Sequence, residues 1–131
     1  GDYQLLARQR VAGLYGFDEG PVLFKPTKAA YPEFRLRFDE AVSYFVGGVV
    51  PEDHGFALEP WSAVRFENVG IVRTADTATA MGNYFFTAAE TATITKVDYT
   101  LGYFRNRHGQ IKINVHHSSL PFIGQGRQGV G

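Results

Sequence analysis

The chain has 131 residues, the size of one domain around one core, and its 44% hydrophobic and 15% aromatic content excludes disorder. Thirteen basic and thirteen acidic residues cancel to a formal net charge of zero with no block of either sign, so no basic stripe points to nucleic acid. Cys is absent, which excludes disulfides, thiolate zinc sites and cysteine nucleophiles, and no apolar run approaches the roughly 18 residues that a membrane helix needs.

Asp2 to about Phe17 reads as an amphipathic helix. Tyr3, Leu6, Ala7, Val11 and Leu14 recur at three- and four-residue spacing, with Gln4, Arg8 and Gln9 on the other side. Asp18-Glu19-Gly20-Pro21 is a turn, and Val22-Leu23-Phe24, ended by Lys25-Pro26, is long enough only for a brief strand. A second helix begins at about Glu33 or Asp39 and runs to Val46. Phe34, Phe38, Val42 and Phe45 hold its period and Gly47-Gly48 closes it.

Pro51 to Pro60 is a loop, after which the chain changes character. Val64 to Arg73, Ala78 to Thr87, Ala92 to Arg105 and Gln110 to Ser119 are rich in β-branched and aromatic residues, and short polar links separate them. Short links join antiparallel neighbours, so the four strands form a meander. Helices first and a sheet afterwards define an α+β fold. One domain over residues 1–123 and a mobile tail over 124–131 are expected. The chain begins Gly1-Asp2-Tyr3 without Met, which fits either an added first residue or a processed end. Cytoplasm and periplasm both fit.

Strand parity extends to the last hairpin. Val97, Tyr99, Leu101 and Tyr103 form the apolar set on one strand, and Ile111, Ile113 and Val115 on the next. A three-residue loop pairing Asn106 with Gln110 puts both sets on one face, with Gly109 in the left-handed position. This register sets Tyr103 opposite Ile113 and Tyr99 opposite His117. His116, Asp98 and Ser118 then fall on the other face. The strand over 78–87 stays open in phase, because Met81-Asn83-Phe85 and Ala80-Gly82-Tyr84-Phe86 are both apolar enough to be buried.

Pocket candidates under the helices are therefore His117, Tyr99, Tyr103 and Ser119. His117 beside the Tyr99 hydroxyl could move a proton or bind a polar ligand; the structural alternative is a buried His satisfied by a Tyr. Asn83 is an auxiliary donor if its strand is phased inward. Lys25 can reach the pocket mouth, and Trp61 is a core anchor or a stacking surface. His54 and His108 lie in loops with no partner at metal-ligand spacing, and no metal or cofactor is expected. Neither a phosphate loop nor a Gly-x-Ser-x-Gly elbow occurs.

The order of elements, with Asp98-Tyr99-Thr100-Leu101-Gly102-Tyr103 and the closing His116-His117-Ser118-Ser119-Leu120-Pro121, resembles the nuclear transport factor 2-like, or cystatin-like, superfamily. Within it the chain looks like the SnoaL-like group that includes the association domain of calcium/calmodulin-dependent protein kinase II. That domain has a similar Val-His-x-His strand after an Asp-Gly-type hairpin, matched here by His108-Gly109. The resemblance implies helices packed on a strongly curved antiparallel sheet, a cone-shaped pocket between them, and self-association through the exposed sheet face as a homodimer or larger homo-oligomer. Where the kinase domain has pocket arginines, this chain reads Phe85, Leu101 and Ser119. Two functions follow as expectations. One is a domain that binds an unidentified small molecule in an aromatic pocket and self-associates. The other is a SnoaL-like acid-base enzyme of isomerase, cyclase or hydrolase type acting on a hydrophobic molecule, with His117 and Tyr99 as catalytic pair. Neither involves nucleic acid or a membrane.

Overall fold

The computed structural model describes residues 2–47 and 61–123, except for the side chains of residues 2–4, 61 and 62. The expected loop over 51–60, with His54, and the tail over 124–131 lie outside the described residues.

Two helices, α1 (Asp2–Leu14) and α2 (Phe38–Val46), pack on five strands: β1 (Leu23–Lys25), β2 (Trp61–Arg73), β3 (Thr77–Ala88), β4 (Ile94–Arg105) and β5 (Ile111–Ser119). The sheet order is β1-β5-β4-β3-β2. The four long strands form the expected antiparallel meander, whereas β1 runs parallel to β5, so the sheet is mixed and open. No helix among the described residues is long and apolar enough to cross a membrane.

Both helices differ from their expected spans for local reasons. α1 stops at Leu14, short of Phe17, because the next residue leaves the helix to bridge β5. Tyr15 pairs with Ile113, and the Gly16 N–H donates to the Ile113 carbonyl at 2.8 Å. A Cβ at Gly16 would stand 2.6 Å from the Phe104 ring, which would have to shift to admit it. The helix is also less amphipathic than its spacing predicts: Val11 is buried and Ala7 packs on the core, but Leu6 and Leu14 are exposed. α2 takes the later of the two expected starts. Its first turn carries Asp39 and Glu40, which suit the positive end of the helix dipole, and the Asp39 carboxylate accepts the Glu40 N–H at 3.0 Å. Gly47 closes it at φ 77°.

The core gathers Val11 and Tyr15 from the α1 end, Val22 and Phe24 around β1, and Ala41, Val42, Tyr44 and Val46 from α2. The irregular segment before α2 is tied down by Arg35, which is wholly buried and donates to the carbonyls of Pro32 at 2.8 Å and Glu40 at 3.1 Å. A guanidinium taken out of water is tolerated only with such partners. β3 is phased with Ala80, Gly82, Tyr84 and Phe86 toward the helices. Their cross-strand partners Leu101, Tyr99, Val97 and Thr95 on β4 share that inner face.

Candidate functional site

The last hairpin begins as its turn chemistry requires. The Asn106 N–H donates to Gln110 at 2.9 Å, Gly109 is left-handed at φ 78°, and Tyr103 sits opposite Ile113. One residue later the register shifts. Gly102 pairs with Val115, so Asn114 is an extra residue in β5, and every later pair moves by one. Tyr99 therefore lies opposite Ser118 and Leu101 opposite His116, while His117 faces Thr100 and Ser119 faces Asp98.

The bulge exchanges the two histidines. His116 and Ser118 turn toward the helices, and the expected inner residues His117 and Ser119 turn outward, His117 with an exposed side chain. The expected Tyr99–His117 pair does not form. Tyr99 is on the inner face as expected, but its hydroxyl donates to the Asn68 side chain and its ring stacks on Tyr84 at 4.5 Å between centroids. Tyr103 is half-buried and does not line the cavity below. Asn83 lies on the outer face, where its amide donates to Asp98 at 2.6 Å. Lys25 stands behind the site, its Nζ donating to the Ser118 carbonyl at 3.1 Å. Trp61 opens β2 opposite Ala88, and its side chain is outside the described residues.

Between the helices and the inner sheet face lies a cavity of about 310 Å³. Its described walls are mostly aromatic: Phe24 and Phe45 on one side, Phe66, Tyr84 and Phe86 on the other. The polar end is built around His116. Its ring lies against Phe24 with centroids 5.0 Å apart. Nδ1 is 2.7 Å from the Tyr15 hydroxyl, and Nε2 is 2.9 Å from Ser118 Oγ and 3.3 Å from the Tyr84 hydroxyl. Burial, with His117 next door, lowers the His116 pKa from 6.5 to about 4, so the imidazole is neutral at pH 7. Burial likewise pushes the Tyr15 and Tyr84 phenols up, and both keep their protons. Thr27 and Tyr44 complete the polar rim, and the Tyr44 hydroxyl accepts the Lys28 N–H at 3.1 Å.

The described lining thus presents hydroxyl and imidazole groups without a formal charge. Among the described lining residues, His116 is the single His, and no Asp or Glu joins it. Nowhere among the described residues do three His, Asp or Glu side chains come together as a metal site would need. His116, Ser118, Tyr84 and Tyr15 were all missed in the sequence. The one signal was the phrase Val115-His116-His117-Ser118 itself, whose alternation says that one His faces inward but not which.

An α+β cone with its cavity between helices and a curved mixed sheet is the nuclear transport factor 2-like fold. Solved proteins of low identity share it. A Thiobacillus denitrificans protein described as a calcium/calmodulin-dependent protein kinase type II association domain superposes with a TM-score of 0.57 at 15% identity, covering 92% of this chain and 94% of that one. A Shewanella oneidensis protein of this fold superposes with 0.56 at 15% identity, covering 88% and 89%.

Within that fold the chain belongs to the metal-independent carbonic anhydrase family, whose model matches residues 1–120. It is 44% identical over 120 residues to the metal-independent carbonic anhydrase of Nostoc sp. strain PCC 7120, a match covering 89% of this chain and 58% of that protein. The chain therefore spans little more than half the length of that curated relative. A cyanobacterial iota-carbonic anhydrase, solved in complex with bicarbonate, superposes with a TM-score of 0.86 at 43% identity, covering 92% of this chain and 75% of that one. These matches overturn both functional expectations, the small-molecule domain without an assigned reaction and the SnoaL-like isomerase, cyclase or hydrolase. The physical reason is the same bulge: the expected acid-base pair on a hydrophobic pocket does not exist, and a compact hydroxyl–imidazole cluster stands in its place.

Proposed function

We propose that the chain catalyses the reversible hydration of CO2 to bicarbonate in the cavity around His116. The observation that carries this reading is the placement of Ser118, Tyr84 and neutral His116 at one end of an otherwise aromatic cavity. CO2 is small and apolar and suits walls such as Phe24, Phe45 and Phe86; at about 30 Å³ per water, a 310 Å³ space also holds the attacking water and several more. As the water oxygen bonds to carbon, one C=O electron pair moves onto oxygen. Hydroxyl donors aimed at that oxygen stabilise the developing charge, a contribution worth about 3 kcal/mol per donor in comparable sites. The proton released by the water leaves to solvent, since an imidazole with a pKa of about 4 does not keep one at neutral pH.

The family match and the bicarbonate complex of the cyanobacterial relative support the assignment. A described lining with one His and no carboxylate suits chemistry without a resident metal, because a catalytic zinc takes three protein ligands. Stopped-flow CO2 hydration on protein dialysed against a chelator is the test. Saturable catalysis that persists after chelation is expected; a rate equal to buffer alone would overturn the reading.

Self-association through the outer sheet face belongs to the same proposal. It is supported by Val69, Val72 and Met81, which are all exposed on or beside that face. Light scattering should give at least twice the chain mass, and a monomer at micromolar concentration would remove this part.

A further inference from the structure

We propose that Tyr15 is a positioning residue that locks His116 in the tautomer with its proton on Nε2, so that Ser118 and Tyr84 both keep their own hydroxyl protons for the ligand. The role rests on the carbonic anhydrase reading of the cavity and deepens it.

A neutral imidazole has one N–H and one lone pair, and all three of its hydroxyl neighbours cannot be served alike. The Tyr15 hydroxyl has Nδ1 to itself at 2.7 Å, whereas Ser118 and Tyr84 share Nε2 at 2.9 and 3.3 Å. If Tyr15 donates to Nδ1, the proton must be on Nε2. Ser118 then accepts it, Tyr84 lies beside it as a second acceptor, and neither hydroxyl spends its own proton. In the opposite tautomer Nδ1–H donates to Tyr15 and the Nε2 lone pair takes the proton of Ser118 or Tyr84. One donor would be lost to the cavity, and the Tyr15 proton would have no acceptor among the described residues. Tyr15 is only 5% exposed, so an unmatched hydroxyl there carries the full desolvation penalty. The buried phenol holds its proton and the buried imidazole stays neutral, which is the pairing this arrangement needs.

Tyr15 is placed for this from two sides. Its N–H closes α1 on the Val11 carbonyl at 2.9 Å, and its neighbour Gly16 donates to Ile113, one residue before the bulge that turns His116 inward. Its ring packs on Phe24 at 5.5 Å and lies nearly parallel to the His116 ring, 16° apart. Orienting a histidine through its second nitrogen is a general way to set which proton it offers. The resulting donor pair, Ser118 and Tyr84, is uncharged and suits two oxygens of a planar monoanion such as bicarbonate.

The test is ¹⁵N NMR of the histidine rings in the full chain at pH 7, with His116 assigned by the resonance that disappears in His116→Gln. In the unsubstituted protein, His116 is expected to show a protonated Nε2 and a bare Nδ1. In Tyr15→Phe, which keeps the ring packing, the pattern should move toward a tautomer mixture and kcat/KM for CO2 hydration should fall about tenfold. A proton on Nδ1 in the unsubstituted protein overturns the proposal even if Tyr15→Phe does not fold, and so does an unchanged tautomer in a folded Tyr15→Phe. The spectrum needs no CO2 chemistry. A locked Nε2–H tautomer in a protein without hydration activity upholds the Tyr15 role and sinks the functional reading instead.

Discussion

His116 and His117 are consecutive in β5 and meet opposite surroundings. His116 lies against Phe24 with three hydroxyls around its ring, and burial lowers its pKa to about 4. His117 sits on the outer sheet face beside Thr100, exposed, with Asn83, Asp98 and Ser119 around it. Both faces thus carry a His, a Ser and a cross-strand polar neighbour, so residue type alone does not distinguish them. Enclosure does. The inner set is roofed by α2 and aromatic rings, where hydrogen bonds are stronger and charge is penalised. The outer set is open to water, which competes for every one of its polar groups.

The comparison is broken most sharply by activity. His116→Ala and Ser118→Ala should each lower kcat/KM for CO2 hydration about 100-fold or more, while His117→Ala stays within about twofold. Comparable losses on both faces would show that the cavity is not the site. The next largest effect is on stability against pH. The folded His116 takes a proton only near pH 4, whereas an unfolded one does so at 6.5. As pH falls from 6.5 to 4 the unfolded state is therefore favoured, by at most about 3 kcal/mol, and the loss levels off below 4. Chemical denaturation across this window should show that slope in the unsubstituted protein and a flatter one in His116→Gln.

Glycines sharpen the contrast in packing. A Cβ on Gly82, on the inner face, would meet the Glu67 carbonyl and stand 2.6 Å from the Tyr99 hydroxyl and 2.9 Å from the Asn68 Cα. Gly82→Ala should cost about 2 kcal/mol, because backbone atoms cannot step aside. Gly70, in exposed β2, has nothing within 4 Å, and Gly70→Ala should be neutral or stabilise by about 0.5 kcal/mol. Equal midpoints for the two variants in urea would contradict the packing difference. A further small effect belongs to the outer face, where the Arg65 guanidinium lies 4.2 Å from the Phe85 ring centroid and pairs with Glu67. Arg65→Ala should cost less than about 1 kcal/mol in thermal unfolding.

The sequence alone determined the α+β order, the α2 stop at Gly47, the four-strand meander and the 106–110 hairpin with left-handed Gly109. These follow from periodicity and turn chemistry, which act over a few neighbouring residues. It also determined that Tyr103 meets Ile113, because the hairpin loop counts register outward from the turn. The tertiary structure decided what lies beyond that pair. Ile113 is held by the end of α1, Asn114 is squeezed out of the ladder, and the parity of every later residue in β5 reverses. The phase of β3 was settled in the same way, by which of its two apolar faces the helices cover. Neither choice is local: a strand turns the face that the rest of the core has room for, and an alternating sequence fits either way.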